Sequence, residues 1–237
     1  MLDVQALDAR ADLLRHQRAS LPELAEIASV RAGRTELDNR ARDARIAVDD
    51  LTLEQEKVDS DVEAVKTRRR RDRDRIDQGL ITNPKDLERM QHELESLERR
   101  IASLEDEELE VMARLEDAQR DLDTLQAQVA EADQRLAELA ASRDERMAAI
   151  DAELETVLAG REPAVADMPA DLLALYDRLR EQKGGVGAAE LRQRRCTGCQ
   201  LGIDNAEIAV IKAAPADEVV RCEECQRILV RTPESGL

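Results

Sequence analysis

The chain has 237 residues and a formal net charge of −17, and Tyr176 is its one aromatic residue. A rounded core of this size draws on aromatic area that is missing here, so the composition argues against an ordinary globular enzyme and for long solvated helices. The acidity opposes indiscriminate nucleic-acid binding over the whole surface. No stretch reaches the roughly 18 apolar residues of a membrane span and Met1 to Gln5 lacks the start of a signal peptide, so a cytoplasmic protein is expected.

The first predicted element is a helix with Val4, Leu7, Ala11 and Leu14 as its apolar seam. Ser20 with Glu23 forms a capping-box pattern, and Pro22 disfavours helix at Leu21, so a kink is expected there. From Leu37 to Ile76 apolar residues recur with 4-3 spacing, interrupted by Arg69 and Asp72, and a second such seam runs from Leu87 to Leu139. Between them, Gly79 suits a helix C′ position. Asn83 suits an N-cap, with Pro84 at the first helical position and Asp86 in the first turn. So short a connection demands an antiparallel hairpin with its turn near 79–83.

Folding about that turn makes facing residue numbers sum to roughly 163. The position opposite Ser20 is then near Arg143, where the second seam changes phase through Met147, Ile150, Leu154 and Val157. The N-terminal helix is therefore expected to pair with residues near 147–158; the alternative is that it frays or packs on the hairpin as a third helix. The helical pattern is expected to stop at Ala159-Gly160, with Pro163 and Pro169 in a linker. This sets the predicted domains at 1–160 (N-terminal helix plus hairpin) and 161–237 (linker helix plus a small C-terminal domain). An amphipathic helix is expected over Asp171 to Lys183, carrying Leu172, Leu175, Tyr176 and Leu179, and ending at Gly184-Gly185. Val186 to Arg195 and Gln226 to Arg231 are candidate strands.

The four cysteines form two pairs, Cys196-Thr197-Gly198-Cys199 and Cys222-Glu223-Glu224-Cys225. Each pair places two thiolates on one tight turn, and two such turns close a tetrahedral S4 shell around Zn2+. A redox pair would want a βαβ context and a disulfide framework a secreted chain, and neither context is visible. Cys196, Cys199, Cys222 and Cys225 leave no open coordination position, so the metal is expected to be structural. Gly198 is expected to supply an unusual φ to the first knuckle. Arg195, Arg221 and Arg227 flank the ligands and are candidates to offset the −2 charge of a zinc tetrathiolate. His16 and His92 are read as surface residues.

The predicted fold class is mostly α, a long antiparallel coiled-coil hairpin with a small C-terminal zinc ribbon. No Gly-rich phosphate loop, no Ser/His/Asp set and no carboxylate pair in a cleft appears, so no catalytic residue is assigned and an enzyme is not expected. Lys66 to Arg75 contains seven basic and two acidic residues. As a functional site, Arg68, Arg69, Arg70 and Arg71 contact a polyanion or a protein partner; as an ordinary solvated helix, they pair with Glu88, Glu93 and Glu95 of the opposite arm, which is the favoured reading. Arg192, Arg194 and Arg195 are further candidate contacts. The ribbon from Gly184 onward has seven basic and eight acidic residues, however, and lacks a basic face. Leu109 and Met112 are expected to be exposed and leave the oligomeric state open.

The hairpin followed by two Cys-x-x-Cys pairs resembles the bacterial C4-type zinc-ribbon and coiled-coil family, which includes accessory proteins of flagellar biogenesis and type III secretion. The resemblance rests on Asn83-Pro84-Lys85-Asp86-Leu87, Gln91-His92-Glu93-Leu94, Leu104-Glu105-Asp106-Glu107, the Tyr176 helix and Cys222-Glu223-Glu224-Cys225-Gln226-Arg227-Ile228-Leu229. It implies the same four zinc ligands and a non-enzymatic scaffold or adaptor that engages protein partners through hairpin and ribbon. In one lineage of the family a messenger RNA is bound, so a nucleic-acid-binding protein using the ribbon and the arginine segments is the alternative. The family often has Gly after the second Cys of a knuckle, where this sequence has Gln200 and Gln226.

Overall fold

The turn between the two longest helices is built as its residues require. In the computed structural model, which describes residues 1–237, helix α2 spans Pro22–Asp77 and helix α3 Pro84–Ala166, after helix α1 at Leu2–Ala19. Gly79 has φ +67, and the Gly79 and Leu80 amides donate to the carbonyls of Ile76 and Arg75, a Schellman closure of α2. The Asn83 side chain accepts from the Lys85 amide at 3.0 Å, capping α3.

The chain forms two compact units, Glu26–Leu139 and Met1–Ala25 with Ala140–Leu237. In the first unit the two arms run antiparallel. Val58, Val62, Leu104 and Val111 are buried between them and Val65 packs alongside, with Leu97, Ile101, Leu122 and Leu125 continuing the apolar seam. Exposed ion pairs bridge the arms, Arg34 to Asp133 at 2.9 Å, Glu54 to Arg114 at 3.2 Å and Lys66 to Glu105 at 2.8 Å. Each is worth only tenths of a kcal/mol, and each joins positions about one to two helical turns away from directly facing ones, because these long side chains reach diagonally between the arms.

The second unit departs from the predicted boundary at 160. Helix α1 is not an appendage of the hairpin: it packs beside the C-terminal part of α3, with Arg10 paired to Glu153, Arg18 to Asp151 at 2.7 Å, and Leu7 lying over Gly160. This is the pairing expected from the phase change. Helix α3 also runs past Gly160 to Ala166 with Pro163 in its last turns. Packing outweighs the helix-breaking residues, because Arg161 pairs with buried Asp8 at 2.7 Å while Ala164 and Val165 line an apolar cluster around Val4 and Tyr176.

The Ser20–Glu23 capping box does not form. Pro22 starts α2, which makes Leu21 the N-cap and leaves Ser20 one position early. The Ser20 hydroxyl instead donates to the His16 carbonyl at 2.7 Å, and Glu23 accepts from Ser142 and pairs with Arg146 at 3.0 Å.

Helix α4 spans Ala170–Gln182 and is followed by strands β1 (Ala188–Arg192), β2 (Arg195–Cys196), helix α5 (Asn205–Ala213) and strand β3 (Ile228–Val230). The sheet order is β2-β1-β3, with β1 antiparallel to β2 and parallel to β3. The predicted single strand over 186–195 is broken by a two-residue turn at Gln193 and Arg194, both at positive φ. Such turns favour Asn-Gly; here the C-terminal tail holds the turn, the Glu234 and Ser235 carbonyls accepting from the Gln193 and Arg194 amides.

One polar network joins α1, α3 and α4 beneath this sheet. Asp8 is 4% exposed and accepts from Arg161 at 2.7 Å and from the Tyr176 hydroxyl at 2.9 Å, with Arg180 close by. Gln5 ties α1 to the segment before β1, donating to the Gly185 carbonyl and accepting from the Gly187 and Ala188 amides.

Candidate metal centre

The end of β2 with the turn that follows it, and the turn before β3, each deliver one cysteine pair. The four Sγ atoms lie within 4.8 Å of one another, with Cys196 to Cys225 at 3.8 Å and Cys199 to Cys222 at 3.9 Å. A tetrahedron of thiolates at the usual Zn–S distance of about 2.3 Å has edges near ~3.8 Å. The donor set therefore fits Zn2+, and the metal is structural: four thiolates fill the shell and nothing is left to activate water.

The two knuckles are copies of one device, Arg-Cys-x-x-Cys-Gln. In each, the first cysteine's amide donates across the turn at 3.0 Å, Cys196 to Leu201 and Cys222 to Arg227. In each, the glutamine after the second cysteine sits at φ +64. Its amide bonds to its own backbone at 2.8 Å, to Cys196 or Cys222, and its side chain donates to the carbonyl three residues back, Gln200 to Thr197 at 2.8 Å and Gln226 to Glu223 at 2.9 Å. The preceding arginine then clasps the glutamine's carbonyl, Arg195 to Gln200 at 2.9 Å and Arg221 to Gln226 at 3.0 Å. The left-handed residue is thus the glutamine, not Gly198 as expected. Gly198 is needed for space, since a Cβ there would lie 2.8 Å from Arg227 Cδ and 3.0 Å from Ala189 Cβ.

Replacing Gln200 tests this device. Gln200→Ala keeps the unfavourable φ and loses a bond worth about 1 kcal/mol, so zinc passes to a chromogenic chelator about fivefold faster. Gln200→Gly loses the same bond but removes a left-handed cost of about 1–2 kcal/mol, so its release rate stays near wild type. Equal rates for the two variants would show that backbone strain at this position is irrelevant.

Burial and local dipoles set the thiols apart. Burial pushes Cys222 up to about 12 and also raises Cys196, with the amides of the following residues in each knuckle working against it. Burial acts on Cys225 as well, but hydrogen bonds from the Arg227 amide and guanidinium, joined by those from the Cys222 and Cys196 thiols, outweigh it and bring Cys225 down to about 7. Of the three arginines expected to offset the thiolate charge, Arg227 does so; its guanidinium is fixed by the carbonyls of Val186 and Lys183, both at 2.9 Å. Arg195 and Arg221 brace the knuckle turns instead.

Ligands and core are one object here. Cys196 and Cys222 are buried with Ala189, Leu191, Ile208, Ile211 and Leu229. Two of those residues come from α5, which sequence reasoning missed within the gap between the pairs. Its signals were present: Asp204 accepts from the Glu207 amide at 2.8 Å as an N-cap, and Ile208 and Ile211 share a face. Arg231 caps the other end, donating to the Ile211 and Ala214 carbonyls.

The candidate arginine contacts separate into two groups. Arg192 pairs with Glu234 at 2.8 Å, Arg194 bonds to the Gly236 carbonyl and Asn205, and Arg195 to the Gln200 carbonyl, so all three have partners within the ribbon. Near the hairpin turn Arg68 pairs with Glu93, as the register anticipated, and Arg71 with its neighbour Asp72 at 3.5 Å. Arg69 and Arg70 have no carboxylate partner, so Glu88 and Glu95 do not neutralise the run.

The profile of the CT398-like coiled coil hairpin domain matches residues 4–184, and that of the C4-type zinc ribbon domain matches residues 195–229. The uncharacterised protein Rv2229c of Mycobacterium tuberculosis is 38% identical over 98% of this chain and 94% of its own length. The uncharacterised protein ML1638 of Mycobacterium leprae is 29% identical over 92% of this chain and 93% of its own. A solved structure from Mycobacterium smegmatis superposes with a TM-score of 0.82 at 34% identity, covering 97% of this chain and 94% of that one. CT398 from Chlamydia trachomatis shares the fold at 17% identity, with a TM-score of 0.66 over 98% and 95% of the two chains. Both matched domains are structural folds rather than known enzymes. No helix is long and apolar enough to cross a membrane.

Proposed function

Because the chain belongs to the family of CT398-like coiled-coil hairpins, here joined to a C4-type zinc ribbon, we propose that it is a non-enzymatic cytoplasmic scaffold that engages protein partners through the hairpin and the ribbon. The observation that carries this reading is the closed S4 shell, two of whose ligands are also the ribbon's apolar core. Metal spent in this way folds a docking head and performs no reaction. The ribbon exposes Leu201, Val210 and Val219 around that core, apolar side chains available to a protein partner.

Nucleic-acid binding is the weaker reading. The ribbon arginines named for it are engaged by Glu234, Asn205 and backbone carbonyls, and no aromatic residue is available there for base stacking. The test is affinity capture from the source cell with the wild-type chain and with Cys196→Ser/Cys199→Ser. A scaffold loses defined protein partners on ligand removal; retention of every partner by the variant would sink a zinc-dependent docking role. Binding of generic RNA that weakens steeply with salt and vanishes in an Arg192→Ala/Arg194→Ala/Arg195→Ala variant would establish the alternative.

A further inference from the structure

The end of the hairpin carries chemistry that neither the seam nor the metal uses. From Lys66 to Met90 there are nine basic and five acidic residues, a net charge of +4 in a chain of −17. Pairing consumes part of it: Lys66 with Glu105, Arg68 with Glu93, Arg71 with Asp72, and Arg89 with Asp86 at 3.8 Å. Arg69, Arg70, Arg73, Arg75 and Lys85 are left without a carboxylate.

Beside them the turn forms an open cleft of 410 Å³, with Leu80, Ile81 and Met90 as its apolar part and Arg75 and Arg89 among its other walls. Leu80 is 65% exposed, although the residues around it are fixed by the Schellman closure and the Asn83 cap. The turn's own hydrogen bonds thus hold an apolar side chain in water beside the unpaired guanidinium of Arg75. That is a preorganised apolar anchor with a charged rim, and docking on it costs little ordering entropy.

We infer that the hairpin tip is a docking site for an acidic protein segment that places an apolar side chain in the cleft beside Leu80. The assignment rests on the scaffold reading above and adds the chemistry of the partner. Charge complementarity selects an acidic ligand, because the tip is the basic end of an otherwise acidic chain. The cleft selects protein over nucleic acid: its apolar residues call for an apolar side chain, and it offers no ring for a base to stack on. The basic excess that attracts an acidic segment lies on the surrounding tip, since Asp86 and Glu93 balance Arg75 and Arg89 within the cleft itself.

The test is selection of a random peptide library on the full-length, zinc-loaded chain, with counter-selection on an Arg75→Glu/Arg89→Glu/Leu80→Ser variant. These side chains are exposed or weakly paired, and circular dichroism checks that the variant keeps its helicity. The expected winners combine net negative charge with apolar residues, and a synthetic winner binds the variant at least about tenfold more weakly and loses affinity as salt is raised. Winners without an acidic excess, or winners that bind the variant equally well, overturn the assignment. Poly(U) RNA that binds the tip and is lost in the same variant overturns it in favour of a nucleic-acid site. Winners that ignore the tip but require zinc overturn the tip assignment while leaving the scaffold reading intact.

Discussion

Stripping zinc from the full chain unfolds the ribbon and loosens α1, while the hairpin between Glu26 and Leu139 stays helical. Structural zinc contributes an apparent binding free energy of about 10–16 kcal/mol at neutral pH, as large as the roughly 5–15 kcal/mol that holds an ordinary domain together. Here the loss reaches beyond the ligands, because Ala188 and Ile228 of the sheet pack with Val4 and Tyr176, and Gln5 of α1 is bonded to Gly185, Gly187 and Ala188. Hydrogen exchange after chelation is expected to show fast amides over residues 188–230, reduced protection in α1, and unchanged protection around Val58, Val62, Leu104 and Val111. Full protection of the ribbon without metal would show that its apolar core suffices.

The pH dependence of this loss has a definite sign. Zinc needs thiolates, and in the metal-free chain burial holds Cys222 up at about 12, so protons compete with metal throughout the neutral range. Below about 7 Cys225 also binds a proton. Zinc affinity therefore falls as pH falls, most steeply on the acid side of neutrality, and a competition titration against a chelator of known affinity measures it.

The second large effect belongs to Asp8. Asp8→Ala leaves the buried Tyr176 hydroxyl without an acceptor and takes the nearer carboxylate from Arg161, which keeps Asp177, while Arg180 keeps Asp12. The change costs about 3 kcal/mol. Tyr176→Phe removes only one donor and costs about 1–3 kcal/mol. The double variant loses less than the sum, since both act on one network. Denaturant unfolding of the three variants checks this; a cost below about 1 kcal/mol for Asp8→Ala would mean that the network is dispensable. Burial first, then the bond to Asp8, raises the Tyr176 phenol above its ordinary range. Its contribution is complete below the unfolded value of about 10 and is lost as pH rises toward the folded one, so the second unit is expected to be sensitive to alkali.

Much of this molecule is legible one residue at a time. Gly79, Asn83 and Pro84 specify the turn through φ, a capping oxygen and a missing amide, all local requirements, so the hairpin and its direction followed from the chain alone. The seam and its phase change after Leu139 located the pairing of α1, because periodicity reports which face is buried. The four thiols and their spacing identified the metal, since few arrangements other than a closed tetrahedron use two such pairs in a chain without a secretory context.

What stayed hidden depends on contacts between residues far apart in the chain. Pro163 reads as a helix end, yet α3 passes through it because Arg161 finds Asp8 across 153 positions. Asp8 reads as an ordinary surface acid until Tyr176, Arg161 and Arg180 enclose it. Gln200 and Gln226 look like departures from a glycine pattern, and only the folded knuckles reveal side chains that fasten the turns they strain. Local chemistry dictated the helices, the turn and the metal. The tertiary structure alone decided where the chain divides, because that division is set by which distant side chains bury one another's charge.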